Sequence, residues 1–134
     1  MANGGPYDKA VWARIEAPLI GVDPLLEDFA RKNGLSVSKN SHNSPERSIT
    51  WNAGPNCLIQ LYPVAQDPSR FSLWICASED RGGERYWKED SLVEDQPMEA
   101  FEAQLPELLD DGLRTLASWC EDTESFDYVG EAPR

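Results

Sequence analysis

Histidine is almost missing from this chain: His42 is the only one in 134 residues. With one His and three scattered Cys, no zinc site is expected. The base of any Cys–His pair has a single candidate. Cysteine is scarce too. Cys57, Cys76 and Cys120 make an odd count with no CxxC spacing, which argues against the disulfide framework of a small secreted domain. No apolar run approaches the roughly 20 residues of a membrane span. The opening stretch, MANGGPYDKAVWARIEAPLI, has no basic segment followed by an apolar one, so it does not read as a signal peptide. P-loop, GxGxxG, GxSxG and HExxH motifs are all absent. The expectation is a soluble cytoplasmic protein with no cofactor, no metal and no assigned catalytic residue.

Basic residues are sparse in one half only. Residues 1–70 hold seven acids and seven bases; residues 71–134 hold seventeen acids and five bases, so the whole net charge of -12 lies in the second half. Such a field repels nucleic acid and anionic membrane. It speeds encounter with a basic protein partner, which is the partner expected here. The plainer alternative is a solvated acidic face that keeps the chain soluble.

What is present reads as one α+β domain over 1–134, with 1–6 and about 130–134 flexible. Residues 7–17 form a helix that Pro18 and Gly21 interrupt. A second helix follows, with Asp23 as N-cap, Pro24 in its first turn and Asn33-Gly34 as its C-cap. RSITWN (47–52), NCLIQLY (56–62), RFSLWICAS (70–78) and ERYWKE (84–89) read as four strands of an antiparallel meander, and LSVSK (35–39) is a candidate fifth. Pro63 to Ser69 is a longer loop. SEDRGGER reads as a hairpin tip, because two glycines supply the positive φ of a primed turn. From Met98 onward, Phe101, Leu105, Leu109, Leu113 and Leu116 make one amphipathic stripe, interrupted near Pro106. Phe126, Tyr128 and Val129 dock a fraying tail.

Strand alternation implies a sheet with two apolar faces. Phe71, Leu73, Ile75 and Ala77 make the core row, while Trp74 and Cys76 lie on the opposite face. With an even hairpin loop, Arg85 and Trp87 share that second face, Trp87 stands beside Trp74, and Tyr86 joins the core row. In 56–62, Leu58, Gln60 and Tyr62 occupy one row and Cys57, Ile59 and Leu61 the other. Apolar residues in both rows call for a cover on both faces. The cover on the Trp74 face is either the chain's own helices or another chain, most simply a homodimer mate.

Four groups could carry chemistry. Cys76 with His42 could be a thiol and its base, but a mid-strand thiol between Ile75 and Ala77 suits a small buried hydrophobe. Glu107, Asp110 and Asp111 share a helix face and could hold a cation, although a solvated face is the simpler reading. Glu79, Asp80 and Glu84 cluster at a wet hairpin tip, where nothing raises a carboxyl pKa. Arg47, Gln60, Arg85 and Tyr86 are the polar residues that a pocket between sheet and helices would use.

The size, the acidity and the helix–meander–helix order loosely resemble two bacterial groups: immunity proteins, which neutralise toxin partners, and the small acidic homodimeric chaperones of type III secretion. Those chaperones place a helix between their third and fourth strands, whereas 70–89 here is a continuous hairpin. No motif of either group maps onto the chain, so no residue is carried over. The expectation is a non-enzymatic protein-binding module with an acidic surface, immunity- or antitoxin-like or regulatory. Its candidate contact residues are Trp74, Arg85, Trp87, Tyr62, Gln60, Glu107, Asp110 and Asp111. The alternatives are a small-ligand binder or enzyme, and a secretion-chaperone-like homodimer.

Overall fold

The computed structural model describes residues 7–40 and 44–131. It is α+β. Helix α1 (Lys9–Asn33) is followed by strands β1 (Ser36–Lys39), β2 (Arg47–Asn52), β3 (Asn56–Val64), β4 (Asp67–Arg81) and β5 (Glu84–Pro97), then helix α2 (Leu105–Glu121) and strand β6 (Asp127–Glu131). All six strands form one antiparallel sheet in chain order, β1 to β6.

The N-terminal segment is one helix of 25 residues rather than two. Pro18 and Pro24 each free the carbonyl four residues back, at Arg14 and Ile20. Both of those residues are exposed, so water can satisfy them. Ile15, Leu19, Val22, Leu26, Phe29 and Ala30 form a buried stripe at steps of three and four, and its packing holds the helix through both prolines. The true N-cap is Asp8, whose carboxylate accepts from the Val11 N–H at 2.9 Å. Gly34 ends the helix at φ 66°, as the Asn-Gly signal predicts.

Six strands replace the four or five expected. LSVSK contributes β1, and the tail contributes β6 on the open edge of β5, so residues 130 and 131 are paired rather than frayed. The Pro63–Ser69 loop contracts, because β3 runs to Val64 and β4 begins at Asp67, with a register shift between Pro63 and Val64. Strand β5 continues through 91–97, bending where the register slips around Leu73. At the other end, Gly82 and Gly83 turn the hairpin with φ of 63° and 91°, and Arg81 pairs with Glu84.

Pro106 starts α2 instead of breaking it. It sits in the first turn, where its missing N–H removes no helical bond. Short 3₁₀ turns at Met98–Ala100 and Glu102–Gln104 carry the stripe up to that point. Met98, Phe101, Leu105, Leu109 and Leu116 are all buried.

Both helices pack on the same face of the sheet. Their buried residues share one core with Ile49, Cys57, Ile59, Leu61, Phe71, Leu73, Ile75 and Ala77. The approach is close at Gly112 of α2, where a Cβ would lie 3.1 Å from Leu92 and 3.3 Å from Ile75. Among the described residues, no helix is long and apolar enough to cross a membrane.

Candidate functional site: the open face of the sheet

Both helices lie on one side, so among the described residues the other face of the sheet has no helix over it. The pairing register sets what it displays. Gln60 stands opposite Ser48 and Trp74, Leu58 opposite Thr50 and Cys76, and Tyr62 opposite Ser72. On β5, Ser91 pairs with Trp74, Glu89 with Cys76, Trp87 with Ser78 and Arg85 with Asp80. Asp127 of β6 lies beside Trp87. Leu58, Tyr62, Trp74 and Trp87 are each half-buried and lie outside the core cluster.

The even hairpin loop puts Arg85 and Trp87 on the Trp74 face and Tyr86 on the other. The two tryptophans are not side by side. The Cys76–Glu89 pair stands between the Trp74–Ser91 and Ser78–Trp87 pairs, so the rings are spaced along the face. Trp74 donates its indole N–H to Glu89 Oε1 at 3.3 Å. Gln60 donates to Glu46 Oε2 at 2.9 Å. A shallow groove of about 390 Å³ opens across β2, β3 and β4, lined by Thr50, Trp51, Asn56, Cys57, Leu58, Cys76 and Ser78. Its floor is apolar and its rim is hydroxyl and amide.

The charge on this face is mostly negative. Glu46, Asp80, Glu89 and Asp127 border it, against Arg85. At its far end Arg70 is held by Asp95, Nε to Oδ1 at 2.6 Å.

The other candidates do not converge. Glu107, Asp110 and Asp111 are exposed on the solvent side of α2, and Asp111 pairs with Arg114. Among the described residues, no group of three or more His, Cys, Asp or Glu is arranged to hold a metal ion. Arg47 lies on the helix-covered face, 2% exposed, and is bound to Asp23 of α1. Tyr86 is on that face too, with the Arg81 guanidinium 4.1 Å from its ring centre and Tyr128 edge-on at 5.5 Å. Gln60 and Arg85 are on the open face. The four polar residues of the pocket reading are therefore split across the sheet. At the hairpin tip, Glu79 pairs with Arg81, and Asp80 accepts from the Gly83 N–H at 2.8 Å.

Cys76 is 6% exposed, and burial, reinforced by the Glu89 charge, pushes its thiol up to about 11. That is the opposite of an activated nucleophile. His42, its imagined base, lies outside the described residues.

Two relationships escaped the sequence reading. Asp23 reads as a helix cap because it precedes proline. Its position in the stripe, four after Leu19 and three before Leu26, is the signal of a buried acid that needs a partner. The approach of Cys57 to Cys120, Sγ to Sγ 3.4 Å across 63 residues of chain, leaves no local trace.

Comparison with protein-family models, with curated proteins and with solved structures finds no match to this chain.

Proposed function

We propose that this chain is a non-enzymatic protein-binding module, and that it docks a basic protein surface on the open face of its sheet. The observation that carries the reading is the row of half-exposed Leu58, Tyr62, Trp74 and Trp87 on a face that neither helix covers. Large rigid rings make good anchors, because they bury much area for little lost entropy. The groove beside Leu58 and Cys76 accepts an apolar side chain of the partner. The acidic border sets the partner's sign: four carboxylates against one guanidinium favour a cationic surface. The exposed acids of α2 lie on the far side of the molecule and take no part in this docking.

The same charges argue against a homodimer through this face, since apposed copies would set Glu89, Asp80 and Asp127 against their own kind. The raised pKa of Cys76 and the engaged carboxylates at the hairpin tip leave no activated group there for catalysis. An immunity- or antitoxin-like or regulatory role is the form of this reading that the size and acidity suggest.

The test is affinity capture from the native source, followed by reconstitution with the purified captured protein. Wild type is expected to retain a protein whose contact surface is basic. Trp74→Ala/Trp87→Ala should lose it, and moderate salt should weaken it. Retention by the double variant would refute docking on this face. Sedimentation at micromolar concentration is expected to show a monomer. A dimer abolished by Trp74→Asp would instead assign the face to a second copy.

A further inference from the structure

Cys57 is the second residue of β3, on the helix-covered face, and is 2% exposed. Cys120 lies in the last turn of α2 and is half-buried. Their sulfurs are 3.4 Å apart. A disulfide bond is about 2.0 Å long, so closure requires a movement of about 1.4 Å. The two elements differ in stiffness. Cys57 is fixed in a strand paired on both sides, whereas the last turn of a helix is where fraying begins. The third thiol, Cys76, projects to the open face of the sheet beside Glu89.

We propose that Cys57 and Cys120 are a reversible modification site, closed to an intramolecular disulfide by hydroperoxides. Cys120 is the entry point, because it is the more accessible of the pair. Its thiolate attacks one peroxide oxygen. The S–O bond forms, the O–O bond breaks, and the departing oxygen takes a proton and leaves as water or an alcohol. Cys120 is now a sulfenic acid. The Cys57 sulfur attacks Cys120 Sγ, the S–S bond forms and the S–O bond breaks. The departing hydroxide takes the Cys57 proton and leaves as water. Two thiols have lost two electrons, and one peroxide bond has gained them.

The order follows from the surroundings of Cys57. Burial pushes its thiol up to about 12, and the hydrogen bond to Cys120 and the Cys120 charge add to the shift. Buried and held as the thiol, Cys57 is the poorer target for peroxide, so the more accessible Cys120 is oxidised first. The bond would staple the end of α2 to the sheet across a 63-residue separation.

The test uses the wild-type chain, purified under dithiothreitol, desalted and treated with hydrogen peroxide. Two of its three thiols should disappear, and non-reducing peptide mapping should give one cross-linked pair containing Cys57 and Cys120. A closed loop of this size should raise Tm by on the order of 10 °C, reversed by dithiothreitol. Cys76→Ala should behave as wild type. Cys120→Ser should lose both the cross-link and the rise in Tm. Cys57→Ser should stop at a sulfenic acid on Cys120 that dimedone traps. The proposal fails if both thiols survive peroxide, if Cys120 runs on to sulfinic acid without the cross-link, or if the bond forms between chains. The wild-type mapping decides this even if a variant does not fold.

Discussion

Arg47 reaches from β2 to Asp23 of α1 with two nitrogens, Nε to Oδ1 at 2.6 Å and Nη2 to Oδ2 at 3.1 Å. Its remaining nitrogen donates to Asn40 Oδ1 and to the Glu46 carbonyl, each at 3.0 Å. Lys39 adds a second cation 3.6 Å from Asp23. The guanidinium is thus fully engaged while buried, and the pair fixes where α1 crosses the sheet.

Removing one partner strands the other. Asp23→Ala should cost about 3–5 kcal/mol, because it leaves the Arg47 charge buried without its carboxylate. Replacing both residues with leucine should cost much less, since the desolvation penalty disappears with the charges. Urea unfolding of the three proteins checks this, and a near-neutral Asp23→Ala would contradict it.

The seat of α2 gives a second expectation. Gly112 leaves no room for a branched side chain above Leu92 and Ile75. Gly112→Val should destabilise the fold by about 1–3 kcal/mol through overpacking. Leu116, fully buried, should cost about 2–5 kcal/mol as Leu116→Ala through the cavity it leaves. Stability unchanged in both would mean that α2 packs elsewhere.

Cys57 and Cys76 make the fold sensitive to alkali. Their ordinary pKa is 9.0, and folding raises it to about 12 and about 11. Above about pH 9 the unfolded chain releases these protons while the folded chain keeps them. The unfolded state then binds fewer protons, so stability falls as pH rises through this window. Below pH 9 the contribution is fully present. The urea midpoint should drop between pH 8 and pH 10.5, and Cys76→Ala should drop less. Equal slopes in the two proteins would show that Cys76 stays protonated in neither state or in both.

How much of this could be read in advance depended on how local the cause was. The strand alternation of 47–62 and 70–89 and the Gly82-Gly83 turn are encoded within a few residues, and they appear as expected. So does the parity that sends Trp74 and Trp87 to one face. Pro18 and Pro24 misled because their helix-breaking cost is local, whereas the packing of Ile15, Leu19, Val22 and Leu26 that offsets it is tertiary. Strand β6 was hidden for a related reason. Asp127, Gly130 and Glu131 are poor strand formers, and only the unpaired edge of β5 recruits them. The spacing of the two tryptophans along the face depends on which pairs lie between them, beyond what parity can say.

The central claim is that the open face is the docking surface, and a calorimetric titration tests it most directly. The captured partner, purified, would be titrated into wild type and into Trp74→Ala/Trp87→Ala, at low and at moderate salt. Neither tryptophan belongs to the core cluster, so the variant should melt close to wild type. Two anchor residues lost should weaken binding by roughly 100-fold or more, and salt should weaken wild-type binding further. An affinity unchanged in the double variant, with its fold intact, would contradict the account.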